Sequence, residues 1–331
     1  MLNEYNIVYA SDNSFAPIMG TSIYSLLINN TDAKRINVSI LDSGIDKTNK
    51  NNITRIFEEF DNAVLKWISV DSISNKIGIE VQNDRGSFSQ YSRLFIDDVL
   101  NKNVNRVLYL DCDTVITSSI RELWNIDLQN KVVGAFKDAF SEYYRKVINL
   151  AKNDIMFNSG VMLINLKKWR ELKIKNKILK YIIYNNGKVQ QGDQGALNAI
   201  LSSNVVPLDP KYNFVSILCE LSFDELKHYR KPVNFYTKST IDKAKLCPVI
   251  IHYTSSFYSI RPWFSNSNHP LREYWKSYFD KTPWKDEQLP YENRKWINYL
   301  FYHGLRKPIL YCAGIAQIYL RPLKNYLTRK Q

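Results

Sequence analysis

Arg106-Val107-Leu108-Tyr109-Leu110-Asp111-Cys112-Asp113 decides the fold of this chain. Its apolar residues form an unbroken run of strand length, the pattern of a strand covered on both faces. The run ends in two carboxylates one residue apart. Asp is common in the turn after a strand. Alternate residues of an extended segment also point the same way, so Asp111 and Asp113 can meet one cation, as half of a divalent-metal site.

Toward the N-terminus the chain alternates between strand and helix patterns. Asn6–Ser11, Ile36–Leu41 and Ala63–Val70 have strand character, and apolar spacing predicts helices over Phe15–Asn29 and Thr48–Phe60. Such alternation implies a mostly parallel sheet with helices on both faces, whose ligands sit beyond the carboxyl ends of the strands. A polar stretch, Ser72–Ser87, precedes a helix expected over Gln90–Leu100. Toward the C-terminus, a buried run follows Phe157-Asn158-Ser159-Gly160, a long basic helix is expected over Lys167–Tyr184, and a helix over Ala196–Leu201 follows Asp193-Gln194. A late strand, Cys247–Tyr253, carries His252 near its end.

These segments make the chain resemble glycosyltransferase family 8, the retaining nucleotide-sugar transferases that include glycogenin and bacterial lipopolysaccharide galactosyl- and glucosyltransferases. The resemblance runs over about residues 5 to 263 and rests on motifs in order: Ile7-Val8-Tyr9-Ala10-Ser11-Asp12, Tyr91-Ser92-Arg93-Leu94, the Asp111-Cys112-Asp113 motif, Phe157 to Leu166, Asp193-Gln194, Tyr212-Asn213-Phe214, and His252-Tyr253 with Arg261-Pro262-Trp263. It implies an α/β fold of the GT-A type, a single Rossmann-like nucleotide-sugar-binding domain over residues 1–270, followed by a basic, aromatic helical region over 271–331. It also implies a UDP-hexose donor, a glycan or lipid-linked glycan acceptor, and transfer of glucose or galactose in bacterial surface polysaccharide assembly.

Site roles follow from the same resemblance. Asp111, Asp113 and His252 are the implied metal ligands, and one imidazole among oxygens favours Mn²⁺ over the alternative Mg²⁺. Donor contacts fall to Ala10, Asp12, Ser14, Arg93, Asp111, Cys112, Asn158, Ser159 and Arg261, and the catalytic pair is Asp193 and Gln194, with Asp193 on sugar hydroxyls and Gln194 near the anomeric carbon. Asp12 also suits a helix N-cap, and the two roles can coexist. Arg261 stands nine positions after His252, farther than the family's lysine in HxxGxxKPW, and the intervening Ser255–Ser259 segment is read as an insertion. No residue identifies itself as a nucleophile on the β face, so front-side displacement is the implied route to retention.

Two alternatives stand beside this. Leu108 to Val115 fits the hydrophobic-DxDx[TV] pattern of haloacid-dehalogenase-type phosphatases, with Asp111 as nucleophile. There the motif opens the first strand, whereas about 105 residues precede it here and no later acidic pair completes a magnesium site. The other is a non-catalytic, membrane-associated sugar-nucleotide-binding protein on the same fold.

Charge separates the chain into two parts. The net formal charge of the 331 residues is +13, with 45% hydrophobic and 13% aromatic residues, a composition that supports packed cores. Eight of those thirteen charges lie after Glu292, where no acidic residue occurs, so residues 1–293 carry only +5. Basic residues among interfacial aromatics predict docking of residues 294–331 on an anionic membrane, with a helical annex packed on the catalytic domain as the alternative. Nucleic acid is not expected as a partner, since no recognised module accompanies the tail. The longest uncharged late run, Pro308 to Leu320, is 13 residues, too short for the roughly 20 of a bilayer span. Met1–Asn6 shows no secretory pattern, so the expected location is the cytoplasm, peripheral at the inner face of the plasma membrane. Four scattered cysteines predict reduced thiols. Oligomeric state is not encoded in any motif.

Overall fold

The computed structural model describes residues 3–70, 89–151, 153–256, 258–293 and 306–329. The Ser72–Ser87 stretch and the first part of the basic tail, residues 294–305, lie outside them. Among the described residues ten strands form two sheets: β1 (Glu4–Ser11), β2 (Arg35–Asp42), β3 (Ala63–Ser69), β4 (Arg106–Leu110), β5 (Thr114–Ile116), β6 (Val133–Lys137), β7 (Phe157–Asn165), β8 (Val205–Pro207), β9 (Phe214–Val215) and β10 (Ile250–His252). The large sheet has the order β3-β2-β1-β4-β7-β6-β8. All its pairs are parallel except those of β7, which runs antiparallel to both β4 and β6.

This is the mixed, mostly parallel α/β architecture expected from the alternating runs. Strand order reverses between β1 and β4, which lie side by side with Val8 beside Tyr109. Ligands of open α/β sheets bind outside the carboxyl ends of strands at such a point. Ala10 to Asp12 and Asp111 to Asp113 leave their strands there.

Both sheet faces are buried, and the pleat decides which side chain goes where. Tyr5, Ile7 and Tyr9 of β1 pack with Leu108, Leu110, Val161 and Leu163 on one face; Val8, Val107, Tyr109, Met162 and Ile164 pack on the other. The first face is covered by the helix Ala16–Ile28, which is buried along most of its length. Gly20 in that helix is there for space: a Cβ would sit 2.3 Å from the Trp284 ring. Trp275, Phe279 and Trp284 join the same core as β1, so the packing unit around the sheet continues past position 270.

Three local expectations change. Gln90–Leu100 is a chain of short turns, Ser89–Ser92, Arg93–Phe95 and Ile96–Val99. The expected Lys167–Tyr184 helix is two, Leu166–Glu171 and Ile174–Tyr184, joined through Lys173 at φ 51°. That left-handed residue lets Leu166 and Trp169 before it and Ile174, Ile178 and Ile182 after it face one core. In the tail, apolar positions from Ile309 to Leu327 recur at helical spacing and predict a helix interrupted at Pro322, yet the helix runs on through it. The turn before it, Ala316–Leu320, widens to a π-helix, with the Arg321 N–H donating to the Ala316 carbonyl, which accommodates a proline that lacks a donor and crowds the preceding turn.

His269 shows how packing sets a charge state. Its Nδ1 accepts the Leu271 N–H at 3.1 Å and its Nε2 lies 3.0 Å from Ser216 Oγ. Burial holds its pKa down to about 4, below the ordinary 6.5. The unfolded chain therefore binds the extra proton first, so this contribution to stability is full above pH 6.5 and lost as pH falls toward 4. Urea unfolding at pH 7 and pH 4.5 is expected to show a loss for the wild type exceeding that for His269→Gln by about 2 kcal/mol. Equal losses would show that His269 is not held neutral.

Candidate active site

A cleft of about 560 Å³ opens at the strand-order reversal. Ala10, Asp12, Ser14, Arg93, Asp111, Cys112, Asp113, Asn158, Ser159, Asp193, Gln194 and His252 all line it. Asp111 and Asp113 sit in the turn between β4 and β5. The turn is tied down from below: Thr114 Oγ1 donates to the Asp111 carbonyl at 2.8 Å, and a hydroxyl chain runs on to Ser22 Oγ at 2.9 Å and Tyr9 at 3.0 Å. The Asp111 N–H donates to the Gly160 carbonyl at 2.7 Å, which fixes the first carboxylate against β7.

His252 arrives through the second sheet. β10 pairs antiparallel with β5, which sets His252 opposite Thr114, and parallel with β9. Its Nε2 lies 3.1 Å from Asp113 Oδ1 and 3.7 Å from Asp111 Oδ2. Nδ1 lies 2.9 Å from Asn213 Oδ1, and Asn213 donates through Nδ2 to Asn158 Oδ1 at 2.9 Å. The Nδ1–H bond to an amide oxygen leaves the Nε2 lone pair facing the two carboxylates, the orientation a metal ligand needs.

The three side chains fit a divalent cation. One donor atom from each lies within 4.8 Å of the others, and two nitrogen and oxygen donors about 3 Å apart match neighbouring positions on an octahedral ion with bonds of about 2.1 Å. Space for the cluster comes from Gly160: a Cβ there would fall 2.1 Å from His252 Cε1 and 2.7 Å from Asp111 Oδ2. Burial opposes protonation of His252, but Asp113 and then Asp111 raise its pKa above the ordinary value. The cluster thus attracts positive charge, which a proton or a metal ion supplies.

Arg93 is buried and joins two carboxylates from distant elements. Its Nη2 is 3.0 Å from Asp111 Oδ1, its Nε is 2.8 Å from Asp193 Oδ2, and its Nη1 donates to the Ser159 carbonyl at 2.9 Å. The guanidinium lies over the Tyr109 ring at 4.5 Å. Asp193 is pushed up to about 6, by burial above all, against the pull of Arg93. Next to it, Gln194 Oε1 accepts from the Ser159 N–H at 3.1 Å, so the Gln194 amide N–H₂ turns toward Asp138 Oδ2 at 3.4 Å. Asn198 anchors this helix, Gly192–Leu201, by exchanging hydrogen bonds of 2.7 and 2.8 Å with the main chain of Phe157 at the start of β7.

At the β1 end, Asp12 caps the 3-10 turn Asn13–Phe15, accepting from the Ser14 N–H at 3.0 Å, from its hydroxyl at 2.6 Å and from the Phe15 N–H at 3.3 Å. The capping role is real, and Asp12 also faces the cleft. Cys112 donates its thiol to the Ala10 carbonyl at 3.1 Å, and burial keeps that thiol protonated. Arg261 reaches the Asp111–Asp113–His252 cluster, with Nη1 3.6 Å from Asp113 Oδ2 and its guanidinium 5.1 Å from the Trp263 ring. It also donates to Ser255. The Ser255–Ser259 segment is pinned by Glu220, which accepts from Ser256 and Ser259.

Several participants were not assigned from sequence. Asp138 follows β6 as Asp111 follows β4, so a strand-end carboxylate was a legible signal. Asn213 was visible as part of a motif, but its bond to His252 spans 39 positions. Tyr109, whose hydroxyl donates to Asp111 Oδ1 at 3.0 Å, reads as core in the sequence and is both. Gln317 and Arg321 of the tail helix also line the cleft, which no motif announces.

The sequence profile of glycosyl transferase family 8 matches residues 6–267. A putative glycosyltransferase of Haemophilus influenzae is 32% identical over 247 residues, covering 70% of this chain and 73% of that protein. A lipopolysaccharide 1,2-glucosyltransferase of Escherichia coli K12 is 27% identical over 286 residues, covering 85% and 79%. The crystal structure of the galactosyltransferase LgtC in complex with donor and acceptor sugar analogues superposes with a TM-score of 0.70 at 22% identity, over 86% of this chain and all of that one. At that identity the likeness is one of fold.

Asn213→Ala removes the partner of His252 Nδ1 without touching a carboxylate. Its Mn²⁺ affinity, measured by calorimetric titration, is expected to fall about 10- to 100-fold. Unchanged affinity would show that the imidazole is not oriented by Asn213.

Proposed function

Because this chain belongs to glycosyltransferase family 8, we propose that it moves glucose or galactose from a UDP-sugar to a glycan or lipid-linked glycan acceptor, with retention at the anomeric carbon. The observation that carries this is the Asp111–Asp113–His252 cluster, its donor atoms within 4.8 Å, in the wall of the cleft that also holds Asp193 and Gln194. The names of two similar proteins, a lipopolysaccharide glucosyltransferase and a galactosyltransferase, support a hexose.

Asp111, Asp113 and His252 would hold a divalent cation, Mn²⁺ ahead of Mg²⁺, and when bound it would supply positive charge for a departing diphosphate. The remaining work belongs to side chains. Ala10, Asp12 and Ser14 offer a wall for the base and ribose at the end of β1. Arg261 brings a second cation to the diphosphate from the rim, stacked on Trp263. Arg93 is a positioning residue: it keeps Asp111 and Asp193 in fixed register while its own charge offsets theirs. Breaking such a buried pair costs about 3–5 kcal/mol, because the partner is left uncompensated. Asp193 then takes sugar hydroxyls, and Gln194, its oxygen committed to Ser159, presents donors to the reacting sugar. The phosphatase alternative gives way to the family match over residues 6–267, in which the Asp111 motif follows the fourth strand and not the first.

The described part of the tail bears on location. Its helix turns Leu310, Gly314 and Ile318 inward, and leaves Tyr311, Ile315, Tyr319, Leu320, Leu323 and Leu327 exposed. Exposed apolar side chains beside Lys324 suit the surface of an anionic bilayer, with the chain peripheral on its cytoplasmic side. No helix among the described residues is long and apolar enough to cross a membrane.

Two measurements test these roles. Across a panel of UDP-sugars with Mn²⁺, turnover of UDP-glucose or UDP-galactose is expected, lowered at least about a hundredfold in Asp113→Ala; no turnover of any donor would point to a binding protein instead. Salt-sensitive sedimentation with phosphatidylglycerol-containing vesicles is expected for the wild type and lost in a Leu320→Glu/Leu323→Glu/Leu327→Glu variant. Equal sedimentation of both would exclude that face.

A further inference from the structure

The tail helix reaches the cleft at its π-helical turn, Ala316–Leu320. Gln317 is 9% exposed and lines the cleft; its Oε1 accepts from Arg321 Nη1 at 3.4 Å, and its Nε2 has no acceptor. Arg321 lies 5.9 Å from the Tyr144 ring and lines the same wall. Arg230, at the end of the helix Phe223–Arg230, completes it, with its guanidinium 4.9 Å from the Phe140 ring and 5.1 Å from Tyr229. The two helices approach closely at Gly314, where a Cβ would lie 3.4 Å from the main chain of His228 and Tyr229.

Three donor side chains, Arg230, Gln317 and Arg321, share this wall, with the Asp138 carboxylate as an acidic neighbour of Arg230. Among the described residues no carboxylate lies within ion-pair distance of Arg230 or Arg321, and Arg230 Nε is buried without an acceptor. Aromatic rings hold the guanidiniums without neutralising them. Two such cations and an amide N–H₂ lacking an acceptor complement an oxyanion.

Position indicates whose oxyanion it is. Contacts run from Asp111 through Arg93 to Asp193, then from Gln194 to Asp138. Arg230 lies beyond, where it opposes the burial that raises the Asp138 carboxyl. The metal cluster and Arg261, which suit a donor diphosphate, are at the other end of this chain of contacts. π-helical turns recur at functional sites, and here the turn sets Gln317 and Arg321 side by side on the cleft wall.

We propose that Arg230, Gln317 and Arg321 form an acceptor subsite that grips an oxyanion, a phosphate or a carboxylate, carried by the acceptor sugar. This rests on the transferase assignment above, with the donor at the metal end. The test uses the full chain with Mn²⁺ and saturating UDP, so that the donor end is filled, and titrates glucose, glucose 6-phosphate and glucuronate by calorimetry. Either anionic sugar is expected to bind at least about tenfold tighter than glucose, and Arg321→Gln and Gln317→Leu are each expected to weaken it by about tenfold, the loss of one charge-assisted hydrogen bond. Preference for glucose 6-phosphate assigns a phosphate, and preference for glucuronate a carboxylate. Thermal melting confirms that each variant is folded, and Arg230→Gln serves as a third substitution on a different helix. UDP binding is scored first: a chain that does not take UDP refutes the donor assignment. A chain that takes UDP but treats glucose and both anionic sugars alike, binding all or none, overturns the subsite, as does undiminished binding in folded variants.

Discussion

The close approach of β7 to the end of β4 at Gly160 is the constraint on which the site depends. A backbone bond of 2.7 Å from Asp111 to Gly160 leaves no room for a Cβ, because His252 and Asp111 occupy that space. β7, inserted antiparallel between β4 and β6, thus carries Gly160 against the turn where His252 of the second sheet meets Asp111 and Asp113. Asn158 extends the same constraint outward, accepting from the Gly160 N–H at 3.0 Å and from Asn213, which in turn holds His252.

Electrostatics organises the rest. Asp111, Asp113 and Asp193 converge at the cleft, and burying carboxylates together is unfavourable unless each finds a cation or a donor. Arg93 meets that need for two of them, and its burial explains why it acts chiefly by holding the site together. For Asp113 the compensating charge comes from His252, Arg261 or a metal ion. The same logic gives the tail a second meaning: part of its charge borders the cleft instead of lying only on the outer surface.

Much of the fold and part of the site were legible in the sequence. The first three strands appear within two residues of where they were expected, and Arg106–Leu110 matches at both ends, because apolar runs and alternation act over neighbouring residues. The carboxylates at the end of β4 were legible for the same reason. Lys167–Tyr184 was misjudged as one helix because its apolar period continues through Lys173, and only the need to lay both halves on one core turns the chain there.

Local features follow from the order of residues alone: the succession of strands and helices, carboxylates at strand ends, and a mildly basic first 293 residues followed by a strongly basic tail. Tertiary structure decided the partnerships. Arg93 meets Ser159 across 66 positions, Asn213 meets His252 across 39, and Arg306 meets Glu225 across 81, none of which a local period can encode. Gln317 and Arg321 border the cleft because the tail helix packs against the helix ending at Arg230, with Gly314 at van der Waals distance from the His228 and Tyr229 main chain. Hydrophobic patterning specifies which face of an element is buried, whereas the identity of its neighbour depends on how all the elements pack at once.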